Sequence, residues 1–288
     1  MRPLMDRWSK YDAFGAAHVD AVDARHALSQ LPSALQSAHA PRRFALPAQS
    51  NAAPLTTRER IALTDASKPR NAVMMGATGA VGGEVVRALL GDASLETLTL
   101  LGRRSVAEVQ DERVQQHHVD IFSAESYADH LAGHEIAICT LGVGEPSKIS
   151  KEEFLKIDKY AVLEFANACA KAGIKRFAPL SSVGASATSR TFYLRSKGEL
   201  EEELQQLGFE QVSLFRPSMI LTPTNRYGVM QAITLKVWPV LSTLFFGSLR
   251  KLRGIKVRDL GSAIARKSLS GDHGNEILYW PEIVALSK

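Results

Sequence analysis

Apolar residues follow two different regimes along this chain of 288 residues, and the change comes at residue 71. Up to that point neither the two-residue period of a strand nor the 3.6-residue period of a helix is sustained. Some helix is predicted around Val19 to Leu31. The stretch from Pro41 to Pro69, with Pro47, Pro54 and many Ala, Ser, Thr and Asn residues, reads as a flexible linker. From Asn71 onward short apolar runs alternate with helical segments. The predicted strands are Ala72 to Met75, Thr97 to Leu101, Gln116 to Asp120, Ile136 to Leu141, Arg176 to Ser181 and Val212 to Arg216. Helices are predicted at Gly82 to Leu90, Ala124 to Leu131, Lys151 to Ala172 and Tyr193 to Gln206, with apolar residues at helical spacing as in Val162, Phe165, Ala166 and Cys169. Strands apolar on both faces and separated by helices predict an α/β fold with a doubly wound parallel sheet. The expected organisation is a weakly structured extension over residues 1–70, then one domain over 71–288 that ends in a small substrate-side segment.

Composition agrees with one sizeable core, since 45% of residues are hydrophobic and 23% charged. A net charge of +5 from 35 basic and 30 acidic residues is mild, and suits an anionic small molecule as well as nucleic acid. The two cysteines, Cys139 and Cys169, stand in apolar stretches without CxxC spacing, which predicts buried thiols, a reducing compartment and a cytoplasmic protein. The first residues are rich in Ala and Arg, but Asp6, Asp12, Asp20 and Asp23 argue against an organelle transit peptide. No run reaches the ~18 uncharged apolar residues of a membrane span. The longest, Val237 to Leu249, carries Pro239 and Gly247 and reads as a core helix with a solvated basic end. The alternative is a surface element whose Arg250, Lys251, Arg253, Lys256 and Arg258 meet anionic lipid as a peripheral contact.

The loop Gly76-Ala77-Thr78-Gly79-Ala80-Val81-Gly82 sits between a predicted strand and a predicted helix, the context that makes a glycine triplet a dinucleotide fingerprint. Gly76 allows the tight turn, Gly79 the approach of a pyrophosphate to backbone, and Gly82 close helix–strand packing, with the helix N-terminus facing the anion. This is a Rossmann-type site. The second strand runs into Gly102-Arg103-Arg104, where an NAD-specific protein usually offers a carboxylate to the ribose 2′-hydroxyl. Guanidinium groups bind a 2′-phosphate in bidentate fashion, so NADP(H) is the expected cofactor. Asp120 is placed either to accept from the adenine amino group or to cap a helix.

These blocks, together with Cys139-Thr140-Leu141-Gly142, Ser181-Ser182-Val183-Gly184-Ala185, Tyr193-Leu194-Arg195-Ser196-Lys197-Gly198-Glu199 and Phe215-Arg216-Pro217, resemble the atypical short-chain dehydrogenase/reductases. Within that family the resemblance is to the group around the Tat-interacting oxidoreductase, and it covers residues 71 to 285. It implies a Ser-Tyr-Lys catalytic group: Tyr193 as proton donor, Lys197 as its activator and the holder of the nicotinamide ribose, and Ser182 on the substrate carbonyl. Ser181 is the alternative, because a one-residue strand shift exchanges the faces of the two serines. Thr140, Leu141 and Gly142 resemble the turn that leaves room for the nicotinamide half, and Arg216-Pro217-Ser218 the turn that covers it. The residues permit this chemistry, since Tyr193 and Lys197 stand four apart on one helix face and a nearby ammonium favours the phenolate.

Adjacent His117 and His118 point to opposite faces of a strand, so no metal is expected there. The basic cluster from Arg250 to Arg258 lacks interleaved aromatics, so nucleic acid is not an expected partner. Two functions follow from the resemblance. One is an NADPH-dependent reductase of a small carbonyl compound; the other is an NADP(H)-sensing protein that exchanges protein partners and turns over little.

Overall fold

The computed structural model of the protein describes residues 69–144, 146–223 and 245–288. The predicted helix around Val19 to Leu31, the linker as far as residue 68 and the run from Val237 to residue 244 lie outside the described residues. In chain order the strands are β1 (Arg70–Met75), β2 (Leu95–Gly102), β3 (Val114–His118), β4 (Ile136–Cys139), β5 (Arg176–Pro179), β6 (Gln211–Phe215), the short β7 (Ile220–Leu221) and β8 (Ile255–Lys256), and β9 (Glu276–Leu278). Seven of them form one sheet in the order β3-β2-β1-β4-β5-β6-β9, every neighbouring pair parallel. β7 and β8 pair separately. The order reverses between β1 and β4, the place where doubly wound sheets open a crevice at the carboxyl ends of their strands.

Helices cover both faces of the sheet. They are α1 (Ala80–Leu90), α2 (Lys151–Leu155), α3 (Ala161–Lys171), α4 (Phe192–Gln205), α5 (Val257–Leu269) and α6 (Trp280–Leu286). Because side chains alternate along a strand, each central strand supplies both layers. Ala72 and Met74 of β1, with Ile136 and Ile138 of β4, join the core under α1, α5 and α6. Val73 and Met75, with Ala137 and Cys139, join the core under α3 and α4. Both cysteines are buried thiols, and burial pushes Cys139 up to about 12.

Three regions differ from the sequence expectation. β3 spans Val114–His118, not Gln116 to Asp120: it is an edge strand whose Gln and His side chains meet water, and Val119 and Ile121 enter the core only after the strand ends. The predicted helix from Ala124 to Leu131 is instead two 3₁₀ turns, Ala124–Ser126 and Ala128–His130. Short polar side chains compete for the backbone there, with Asp120 Oδ1 accepting from Phe122 N (3.0 Å) and Ser126 Oγ donating to the carbonyls of Asp120 (2.9 Å) and Ser123 (2.8 Å). The long predicted helix from Lys151 is real but interrupted by a π-helical turn at Lys156–Tyr160. Among the described residues after Arg216, α5 packs on the α1 layer and β9 extends the sheet beyond β6.

Candidate cofactor and catalytic site

The glycine loop leaves β1 at its carboxyl end. Gly76 has a φ of +97°, and a side chain there would run into Thr140, whose Oγ1 donates to the Gly76 carbonyl (3.1 Å). Gly82, buried in the first turn of α1, stands so close to this loop that an added Cβ would lie 2.1 Å from the Gly76 oxygen. The loop is therefore folded back onto the helix start. Gly79, the N-cap, caps α1 with no side chain, and the first helical turn contains no acidic residue. Its free N–H groups and positive dipole end remain available for an anion.

This loop opens onto a cleft of about 500 Å³ lined by Gly76, Ala77 and Thr78 on one side and Gly102, Arg103 and Arg104 on the other, with Leu141 at its inner end. Both arginines are exposed at its mouth. Ile121 also lines it, whereas Asp120 does not, its Oδ1 being engaged in the local turn described above. Gln116 accepts from the Val106 backbone (2.8 Å) and His118 meets Ser105 Oγ (2.8 Å), so the loop carrying the arginines is tied back to β3.

From Leu141 the site continues inward through backbone. Val143 N donates to Asp158 Oδ2 (2.8 Å), and Asp158 Oδ1 meets Lys197 Nζ at 3.0 Å, both side chains being at most 5% exposed. Gly142 is next to the same carboxylate, where a Cβ would approach Oδ1 to 3.2 Å. Asp158 thus ties the loop after β4 to the middle of α4. It lies in the π-helical turn, an irregularity that recurs at functional sites. Burial alone would push the Lys197 ammonium down; the Asp158 charge and hydrogen bond, with a smaller contribution from Tyr193, carry it above its ordinary value instead. The sequence reading placed Lys197 beside Tyr193 as a bare cation. Here it is one half of a buried ion pair, so the field it projects on Tyr193 is that of a dipole and is weaker.

Tyr193 is half-buried in the first turn of α4, its ring 5.5 Å from that of Phe154, which also packs on Phe192 at 5.7 Å. The two serines differ clearly. Ser181 is buried with a hydroxyl that finds no partner, while Ser182 is half-buried and makes only a long contact to the Val183 carbonyl (3.5 Å). Strand β5 ends at Pro179, before either of them. Arg216 has a structural part: it forks onto Glu201 of α4 and donates to Tyr279 Oη (3.0 Å), clamping α4 to the ends of β6 and β9.

Gly198 lets α4 lie flat on the segment before it, since a Cβ there would sit 2.1 Å from the Ser186 carbonyl carbon and 2.2 Å from Ala187 N. Both are backbone atoms, which cannot swing aside. Gly198→Ala is expected to cost about 1–3 kcal/mol by overpacking. Urea unfolding measures the effect; an unchanged midpoint would mean that the helix lifts freely.

Comparison with known proteins agrees with this geometry. Rat protein HTATIP2 (Rattus norvegicus) is 32% identical over 154 residues, which cover 53% of this chain and 63% of the rat protein, a little under two thirds of its length. Protein FMP52, mitochondrial, of Candida albicans is 25% identical over 216 residues, covering 71% of this chain and 92% of that protein. Among solved structures, MoeE5 in complex with UDP-glucose and NAD superposes with a TM-score of 0.55 at 16% identity, covering 75% of this chain and 80% of that one. DesIV, a dTDP-glucose 4,6-dehydratase from Streptomyces venezuelae with NAD bound, gives 0.54 at 18% identity over 75% and 80%. At such identity the likeness is one of fold. The model of a family described as NAD(P)H-binding matches residues 76–236, more than half the chain and all of the glycine loop, the arginine turn and α4. The chain belongs to that family of NAD(P)H-binding Rossmann proteins, as a homologue of HTATIP2 and FMP52.

Proposed function

We propose that the protein is an NADP(H)-dependent oxidoreductase of the short-chain dehydrogenase/reductase type that reduces a small carbonyl compound. The observation that carries the reading is the unbroken path from the phosphate loop through residues 140–143 to Asp158, Lys197 and the start of α4. The residues fit the cofactor: an uncapped helix start faces the loop, Gly76 and Gly82 leave no room for side chains, a Cβ at Gly79 would press to 3.3 Å on the Gly76 carbonyl oxygen, and two guanidinium groups flank the cleft. Gly76 to Gly82 would hold the pyrophosphate, Arg103 and Arg104 the 2′-phosphate, and Leu141, Gly142 and Lys197 the nicotinamide half; Asp120, at the adenine end, remains a candidate once its turn opens. When bound, NADPH supplies the hydride for the carbonyl carbon. Ser182 donates a hydrogen bond to the carbonyl oxygen. Tyr193 passes its phenolic proton to that oxygen, which becomes the hydroxyl of the product, and Lys197 steadies the charge left on the ring. A screen of NADPH oxidation against aldehydes and ketones tests the reading.

Arg103 and Arg104 make cofactor choice measurable on its own. Removing one charge-assisted phosphate contact should cost about 1.5–3 kcal/mol, roughly ten- to 150-fold in affinity. Arg103→Ala and Arg104→Ala are therefore expected to weaken NADPH in titrations while leaving NADH nearly unchanged, and equal affinity of the unsubstituted protein for both cofactors would remove the NADP assignment.

A second reading, an NADP(H)-sensing protein with little turnover and a protein partner, draws support from the Asp158–Lys197 pair. A compensated ammonium activates Tyr193 less than a free one. Cofactor binding with no turnover on any carbonyl would favour this reading.

A further inference from the structure

Between Glu210 and Asp259 the sequence contains no aspartate or glutamate but eight arginines and lysines. The described end of this stretch is built, not merely basic. Gly247–Leu252 forms a 3₁₀ helix in which residues 247–251 are all exposed. Its N-cap Phe246 is 70% exposed and Leu249 50%, two of the exposed large apolar side chains among the described residues. Three residues apart on a helix with three residues per turn, they stand on one face. Arg250 and Lys251 follow directly. The core helix expected up to Leu249 is corrected for its described end: Phe246 and Leu249 are exposed and belong to neither core cluster among the described residues.

The turn is held rigidly from beneath. Trp280 Nε1 donates to the Gly254 carbonyl (3.0 Å) and Arg253 Nε to the Phe245 carbonyl (3.0 Å). Arg250 and Arg253 lie over the Trp280 ring at 5.5 and 5.1 Å, and Lys251 over Tyr279 at 6.0 Å. The nearest carboxylates along the chain serve elsewhere: Asp259 sits in the first turn of α5, and Glu282 accepts from Tyr279 N (3.0 Å). An apolar pair beside cations, in a stretch of chain without an acidic residue between Glu210 and Asp259, has a specific complement.

We propose that the turn Phe246–Arg253 docks the protein on an anionic lipid surface, with Phe246 and Leu249 entering the acyl boundary and Arg250 and Lys251 meeting headgroup phosphates. A second copy of this chain is a poor occupant, because two such patches repel. Nucleic acid is disfavoured too, since the Tyr279 and Trp280 faces that could stack on bases are already covered by cations. Lipid asks for what is present: an apolar wedge, a basic rim and a preorganised backbone.

Flotation of the full-length protein with vesicles of phosphatidylcholine alone, or mixed with phosphatidylserine, tests this. Binding is expected to the mixed vesicles only, falling as salt is raised. Each cation near the surface contributes about fivefold, so Arg250→Gln/Lys251→Gln should bind roughly 25-fold more weakly. Phe246→Ser should also bind more weakly while keeping the salt dependence. All these positions are surface sites outside the cofactor cleft, so NADPH titration with unchanged affinity certifies the fold of each variant. Equal binding to neutral vesicles, no binding to either, or folded variants that bind like the unsubstituted protein would each overturn the proposal. So would loss in the variants of duplex DNA binding or of self-association where vesicles are not bound, because it would assign the patch to another occupant.

Discussion

Tyr193→Phe is expected to remove carbonyl reduction almost entirely, by about 100- to 10,000-fold in rate, while NADPH affinity stays within experimental error. The ring of Tyr193 is what packs, tilted against Phe154 at 5.5 Å, and phenylalanine keeps that contact. Only the hydroxyl is lost, and with it the proton that the substrate oxygen needs. Initial rates and cofactor titrations on the two proteins suffice, once the screen yields a substrate. Wild-type turnover in Tyr193→Phe would exclude the acid–base role. Ser182→Ala should lower the rate by less, because it removes a hydrogen bond and not the proton. If Ser181→Ala proves the more damaging of the two, its unpartnered buried hydroxyl is the one that turns toward substrate.

How far the sequence could be read depended on whether a feature was local. The phosphate loop was legible because its demands are steric and confined to seven residues: positive φ at Gly76, no Cβ at Gly82 and a helix start that lacks a side-chain cap. The central strands were legible because they are apolar on both faces, and β1 and β4 indeed feed both cores. Edge strands carry no such signal. β3 is Val-Gln-Gln-His-His and β9 is Glu-Ile-Leu, and neither announces itself by composition. The segment from Ala124 to Leu131 had helical spacing, yet Asp120, Ser123 and Ser126 turned it into 3₁₀ turns by offering the backbone nearer partners. α5 was not predicted although Val257, Leu260 and Ile264 carry its period, because it begins inside the basic cluster from Arg250 to Arg258, whose charge masks the apolar face.

Asp158 is the functional residue that sequence reasoning missed, and a signal for it existed. It stands four residues after Phe154 and four before Val162, both buried, so a carboxylate was lying on the apolar face of a helix. A charge in such a place needs a partner, and Lys197 on the opposite helix has the same problem. The π-helical turn that carries Asp158 could not have been foreseen, since Lys-Ile-Asp-Lys-Tyr is unremarkable as α-helix.

The pair itself makes the second large prediction. Asp158→Asn keeps an acceptor for the Val143 N–H but leaves the Lys197 ammonium buried without its counter-charge, and it is expected to cost about 3–5 kcal/mol of stability in urea unfolding. The sign of its pH dependence is fixed by the same physics. Without the Asp158 charge the largest influence left on Lys197 is burial, so its folded pKa is expected to drop below the unfolded value and the unfolded state to bind the extra proton. The variant should therefore regain stability relative to the unsubstituted protein as pH is raised from neutral toward the ordinary lysine range. Adding Lys197→Met to Asp158→Asn removes the stranded charge and should restore much of the stability at neutral pH, because a buried ion pair exchanged for neutral groups of similar size is often close to neutral. It should restore no turnover and leave NADPH binding weak, since Lys197 is assigned both the ribose contact and the support of Tyr193. A loss below about 1 kcal/mol in Asp158→Asn, flat with pH, would mean that Lys197 finds solvent or another anion, and the pair would then no longer explain why α4 holds its place.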